Sequence, residues 1–161
     1  MNAFLKTLLV GTVLAIGGMA VAAAASATDP IVGTWKLNLT KSTFKPAAAA
    51  PKSQTRTYQA TADGIDMAYT GVAADGSAVN GKSTFKYDGK DYPITGSADF
   101  DTLSLKRVDD STIESTQKKA GKVVGTTVRT VSGDGKVLTL KSKGTTAKGQ
   151  AFDNAMVFDK Q

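Results

Sequence analysis

Four Asp-Gly pairs, Asp63-Gly64, Asp75-Gly76, Asp88-Gly89 and Asp134-Gly135, divide this chain into short stretches that alternate apolar and polar residues. Asp-Gly supplies the two positive-φ residues of a type I′ turn, whose twist matches a pair of antiparallel strands. The first three pairs lie 12 and 13 residues apart, the pitch of successive hairpins. The chain is therefore expected to fold as an all-β meander.

Period-two patterning predicts about ten strands. Residues 31–39 place Trp35, Leu37 and Leu39 on one face. Residues 41–53 form a connector, with Pro46, four alanines and Pro51. Alternation resumes over 53–61, with Arg56 and Tyr58 on one face, and continues through Ile65, Met67 and Tyr69. Residues 79–87 turn Phe85 and Tyr87 inward, and Tyr92 and Ile94 follow the third pair. Further strands run through Leu103, Leu105 and Arg107, then over 112–117, 123–131 and 137–141, and end with Phe152, Met156 and Phe158. Apart from the extreme N-terminus, no amphipathic helix is present. A long sheet with one apolar face must fold over as a sandwich or close as a barrel. Short uniform hairpins without long crossovers favour an antiparallel up-and-down barrel of about 8–10 strands.

The N-terminal 27 residues read as a cleaved signal peptide. Lys6 precedes an apolar run over 8–20, and Ala25-Ser26-Ala27 fits the small-x-small rule for cleavage. The competing possibility is an uncleaved anchor, since roughly 18 apolar residues just span a bilayer. Gly17-Gly18 interrupts the run, which favours cleavage, a periplasmic or secreted location, and no stable membrane anchor afterwards. Residues 28–161 are then a single barrel domain. With no cysteine anywhere, neither a lipid-modified N-terminus nor disulfides are available. The chain carries a net charge of +6 with only three arginines, Arg56, Arg107 and Arg129. The basic residues are scattered rather than interleaved with aromatics, so no nucleic-acid partner is expected. A protein partner is left unspecified.

Gly33-Thr34-Trp35-Lys36-Leu37 resembles the opening strand of the lipocalin and fatty-acid-binding-protein (calycin) superfamily, which begins its barrel with Gly-x-Trp. Met156-Val157-Phe158-Asp159-Lys160 is similar to the closing strand of the fatty-acid-binding proteins. The resemblance implies a lipocalin-like barrel that binds small hydrophobic molecules, with Gly33 and Trp35 structural because that tryptophan closes the barrel base. The chain departs from the pattern in three places. Fatty-acid-binding proteins place a helix pair where this chain has the Pro/Ala connector. Their closing strand carries an Arg-x-Tyr pair for the lipid carboxylate, where Met156 and Phe158 stand here. Lipocalins often carry disulfides, which this chain cannot form.

Absence constrains the chemistry. Without histidine or cysteine, histidine-based acid–base chemistry, a Ser-His-Asp triad, a thiol nucleophile and a Cys/His zinc set are unavailable. Glu114 is the only glutamate, and most aspartates fall in turns. No catalysis, cofactor or metal is expected. Residues 76–83 spell G-x-x-x-x-G-K-S, but the alternation that follows is that of a strand, and a phosphate loop must open a helix. Inward parity gives Arg56, Tyr58, Met67, Tyr69, Phe85, Tyr87 and Arg107 as candidate ligand-binding residues. For the arginines two readings stand: pairing or a rim position, or a site for an anionic head group in a partly hydrated interior. Ser83, Ser115 and Gln117 share the inward parity, which suits a cavity. The expected function is binding of a small amphipathic ligand; the alternative is an interaction, stress or inhibitor module acting through loops such as 41–53.

If Lys82 is a strand surface residue, Lys82→Ala leaves the denaturation midpoint unchanged. Calorimetric titration with ATP checks this; saturable binding lost in the variant would contradict it.

Overall fold

The computed structural model describes residues 28–161; the signal-peptide expectation lies outside the described residues. Within them, sequence alternation becomes burial alternation. The strands are β1 (Gly33–Leu37), β2 (Ser53–Thr61), β3 (Gly64–Val72), β4 (Ala78–Phe85) and β5 (Asp88–Pro93). They continue as β6 (Thr102–Arg107), β7 (Thr112–Lys119), β8 (Lys122–Val131), β9 (Val137–Thr145) and β10 (Ala151–Lys160). All pair antiparallel in one sheet of order β4-β3-β2-β1-β10-β9-β8-β7-β6-β5. The chain thus joins its first and last strands: Trp35 lies opposite Lys160, and Leu37 opposite Phe158.

The sheet curls into a nearly closed up-and-down barrel. Its two edges, β4 and β5, meet at one bridge, where Lys82 N donates to Thr95 O and Thr95 N donates to Lys82 O at 3.0 Å. Ser83 Oγ adds a hydrogen bond to Pro93 O at 2.8 Å. Consecutive strands elsewhere are fully laddered, so β4–β5 is the seam.

The seam corrects the expectation for the third Asp-Gly pair. Asp88-Gly89 does not turn one paired strand into the next; it opens β5, where the register against β6 shifts between Asp88 and Asp91. The turn type is corrected as well. At Asp134-Gly135 the loop has four residues and at Asp75-Gly76 three, and in each pair only the glycine has positive φ, +69° and +93°; the shorter loop has a recognised form. That is the three-residue hairpin with a glycine bulge. The aspartate caps the loop instead, its Oδ1 accepting from Ser77 N and from Lys136 N. The one turn with positive φ at both central residues is Ala120-Gly121, at 48° and 77°.

Two further differences concern the first connection. Leu39 is exposed, in a single 3-10 turn (Leu39–Lys41), because β1 ends at Leu37. The connector carries a second such turn, Ala47–Ala49. It lies along β10 through the Thr43–Ala155 bridge and the Lys45 N to Asn154 Oδ1 hydrogen bond, and Phe44 packs against the core.

The core fills one half of the barrel. Ile31, Trp35, Tyr58, Ile65, Phe85, Leu105, Ile113, Val131, Leu138 and Phe158 are all buried. Trp35 is fully buried, and its Nε1 donates to Ile31 O at 2.7 Å. Lys160 Nζ stands 5.1 Å from its ring centre. Trp35→Ala therefore empties a large site at the β1–β10 junction and is expected to lower stability by about 3–5 kcal/mol. Equilibrium urea denaturation measures this; an unchanged midpoint would contradict the burial.

Candidate functional site: a half-hollow barrel with an interior arginine

Several strands pass from a filled half of the barrel into a hollow one. On β2 the buried Tyr58 gives way to Arg56 and Gln54; on β9, Leu138 gives way to Leu140 and Ser142; on β10, Phe158 gives way to Met156, Asn154 and Phe152. The second member of each set lines a cavity of about 220 Å³. One wall is apolar, from Met67, Tyr69, Ile94, Leu103, Leu140 and Met156; the wall from β7, β8 and β9 is polar, from Gln117, Thr127, Arg129 and Ser142. Ordinary small-molecule pockets run from about 300 to 1,000 Å³, so this space suits a short ligand or several waters.

Arg129 is the decisive residue. It is only 4% exposed. Its Nη1 donates to Ser115 Oγ at 2.7 Å, while its Nε has no partner. Among the described residues no carboxylate bridges it. A buried cation is ordinarily paired, because desolvation is strongly unfavourable. Burial lowers the Arg129 pKa, and the Arg56 charge nearby lowers it further, yet arginine stays protonated in proteins. Arg56, half-buried on β2, lines the same cavity, with Nε donating to Gln54 Oε1 at 2.9 Å and its guanidinium 5.3 Å from the Tyr69 ring centre.

Tyr58 lies beside both guanidinium groups, and its buried hydroxyl has no hydrogen-bond partner. Burial alone would raise its pKa; the two arginine charges outweigh burial and hold it below the ordinary tyrosine value. The other three tyrosines shift upward. Burial is the largest cause for Tyr69, and burial joined by the Asp29 carboxylate for Tyr87. Tyr92 is raised by desolvation and its hydrogen bond to Asp88. Asp99, the carboxylate that lines the cavity, accepts from Ala147 N at 2.8 Å.

Of the residues expected from sequence, Arg56, Met67 and Tyr69 line the cavity, and Tyr58 lies beneath it. Phe85 and Tyr87 lie outside it, their rings 5.9 Å apart and Phe85 in the filled half. Arg107 takes the paired alternative. It forms an ion pair with Asp29, donates to Asp110 O at 3.2 Å, and stands 4.3 Å over the Tyr87 ring. Gly33 sits at the start of β1 opposite Tyr58, and Trp35 is in the core.

Arg129 itself escaped the parity argument. Val123 and Val128, both exposed, obscure the pattern of β8. A bulge between Gln117 and Lys118 on β7 pairs them with Gly125 and Val123, leaving Val124 unpaired on β8, so strict alternation fails there. Reading backward from Val131, Arg129, Thr127 and Gly125 all point inward; that C-terminal count was the available signal.

No family model matches the chain, and no curated protein matches it in sequence. Solved structures do. As-p18, described as an extracellular fatty acid binding protein, superposes with a TM-score of 0.51 at 16% identity, over 83% of this chain and 97% of that one. This protein has a calycin-like fold. Zebrafish ileal bile acid-binding protein, complexed with cholic acid, gives a TM-score of 0.45 at 12% identity, over 82% of this chain and 99% of its own. A redesigned beta barrel bound to DFHBI gives 0.42 at 15%, over 81% and 99%. In this calycin-like barrel the cationic groups of the cavity come from β2 and β8; β10 contributes Met156 to the same lining.

The charge arrangement has a titration signature. Tyr58 is expected to ionise below the ordinary tyrosine range and the other three above it. Its folded pKa lies below the unfolded value. Its contribution to stability is therefore full above the unfolded pKa and is lost as pH falls through the folded one. Tyrosinate absorbance against pH checks this: Tyr58→Phe removes the earliest component, and Arg129→Met moves it to higher pH. An earliest component untouched by Tyr58→Phe would contradict the assignment.

Proposed function

We propose that this barrel binds a small amphipathic anion without chemically altering it. The acidic group lies against Arg129, Arg56 and the Tyr58 hydroxyl, and the apolar body lies along Met67, Tyr69, Leu103 and Met156. The observation that carries this reading is the buried, carboxylate-free guanidinium of Arg129 with an unpartnered Nε. An incoming carboxylate supplies the missing charge and acceptor, and charge-assisted hydrogen bonds in a low-dielectric interior are the strong kind. Fatty acid binding by the similar barrel As-p18 supports the choice of ligand class. The cavity volume favours a short or medium acyl chain.

The same proposal places the protein in the periplasm or outside the cell, released by cleavage after Ala27, with residues 28–161 as the working domain. It invokes neither nucleic acid, metal nor cofactor. The interaction-module alternative gains little from the connector. Phe44 packs on the core, and the exposed large apolar residues among those described, Leu39, Val108, Val123 and Val128, are spread over three different segments.

The test compares decanoate with decanol, titrated by calorimetry against the wild type and Arg129→Met, Arg56→Met and Arg107→Met. Arg129→Met keeps bulk and removes charge. Its affinity for the acid is expected to fall by about 1.5–3 kcal/mol, the worth of hydrogen bonds to a charged group, with little change for the alcohol. The fold should be no less stable, because an unpaired interior cation is gone. Arg107→Met should leave the acid affinity intact and lower the melting temperature through loss of the Asp29 pair. Equal loss of acid and alcohol in Arg129→Met would make that arginine structural; no binding of either probe by the wild type would overturn the proposal.

A further inference from the structure

Next to Arg129 the polar wall holds a second unsatisfied group, with the opposite hydrogen-bonding sense. Gln117 is 7% exposed, lines the cavity, and has no partner for Oε1. Its Nε2 donates to Thr127 Oγ1 at 2.8 Å and to Ser115 Oγ at 3.2 Å.

The neighbours of this amide form one hydrogen-bonded group. Ser115 Oγ accepts from Arg129 Nη1 at 2.7 Å, and its own proton lies toward Thr127 O at 3.5 Å. Arginine can only donate. In the structure the amide nitrogen faces Ser115 and Thr127, and the oxygen faces away from them. The oxygen is a buried acceptor, and leaving such a group unmatched is unfavourable. Gly125, the cross-strand partner of Gln117, has no side chain, and a Cβ there would stand 3.2 Å from Oε1.

We propose that Gln117 Oε1 is a hydroxyl-recognising subsite and that the ligand class is a hydroxylated carboxylic acid, with its hydroxyl close to the carboxylate. This inference rests on the anion site proposed above and narrows it. Ser115 Oγ accepts from both Arg129 Nη1 and Gln117 Nε2, so the two side chains that carry the unpartnered donor and the unpartnered acceptor stand on either side of one serine. A carboxylate on Arg129 Nε therefore brings a hydroxyl on the second or third carbon toward Gln117. A hydroxyl at the far end of the chain would instead meet the apolar wall. The hydroxyl proton is the donor that Oε1 lacks, while a plain acyl chain would bury that oxygen unmatched unless a water came with it.

The test titrates decanoate, its 3-hydroxy counterpart and its 10-hydroxy counterpart by calorimetry against the wild type and Gln117→Met. The wild type is expected to bind the 3-hydroxy acid roughly three- to tenfold tighter than decanoate, the size of one net hydrogen bond. The 10-hydroxy acid should bind no tighter than decanoate. In Gln117→Met the ratio of 3-hydroxy to plain acid is expected to fall close to one. Equal wild-type affinities for decanoate and the 3-hydroxy acid would overturn the hydroxyl subsite while leaving the carboxylate site standing. A preference that survives in Gln117→Met would overturn the assignment to Gln117. Failure of all three acids to bind would overturn both proposals. If the variant does not fold, the wild-type comparison of the 3- and 10-hydroxy acids decides alone: equal affinities overturn the subsite.

Discussion

The pairing of β1 with β10 is the interaction on which the rest of the barrel depends. A meander pairs each strand with its neighbour in sequence and leaves its first and last strands with open edges. Here those two edges are joined, Trp35 opposite Lys160 and Leu37 opposite Phe158. The free edges are thereby transferred to β4 and β5, which the chain closes with the Lys82–Thr95 bridge and the Ser83–Pro93 hydrogen bond. Trp35 fixes the junction from inside, buried and hydrogen-bonded to Ile31.

Once the sheet is closed, side-chain size along each strand decides where the interior is solid. Toward one end the inward positions carry Trp35, Phe85, Leu105, Ile113, Leu138 and Phe158. Toward the other they carry Gly125, Thr127, Ser142 and Asn154 among larger residues, and a cavity remains. Arg129 sits where the two regions meet, followed on its strand by the buried Val131. A guanidinium there cannot reach bulk water, and the Ser115 hydroxyl satisfies only part of it. The Arg56 charge, and with it that of Arg129, depresses the Tyr58 pKa against the effect of burial, making this phenol a member of a cationic cluster. Arg107 shows the contrast: its pairing with Asp29 leaves it no charge to offer a ligand.

The polar wall extends this logic to hydrogen-bond direction. Ser115, Gln117, Thr127 and Ser142 satisfy one another in a continuous chain across β7, β8 and β9. Arg129 donates into that chain at Ser115, and an unpartnered acceptor stands at Gln117 Oε1. An acceptor facing the cavity beside a donor cluster is a pattern that a bifunctional ligand completes.

Period-two alternation and regularly spaced turns were enough to make an all-β meander of about 8–10 strands legible in the sequence and to favour a barrel over a sandwich, because side-chain parity is a local property of an extended chain. The same parity put Arg56, Met67 and Tyr69 on the inner face. The turn types were not legible, since an Asp-Gly pair serves equally as the end of a three-residue bulged loop, with the aspartate as cap. Nor was the seam: which consecutive strands fail to pair depends on how the whole sheet curls, and Asp88-Gly89 looks locally like its three counterparts. Arg129 was hidden by the bulge opposite Gln117, which shifts parity within one strand and can be seen only when β7 and β8 are in register. Which of the three arginines has a counter-ion, and which way the Gln117 amide points, are set by contacts between residues distant in sequence. Those were decided by the tertiary structure alone.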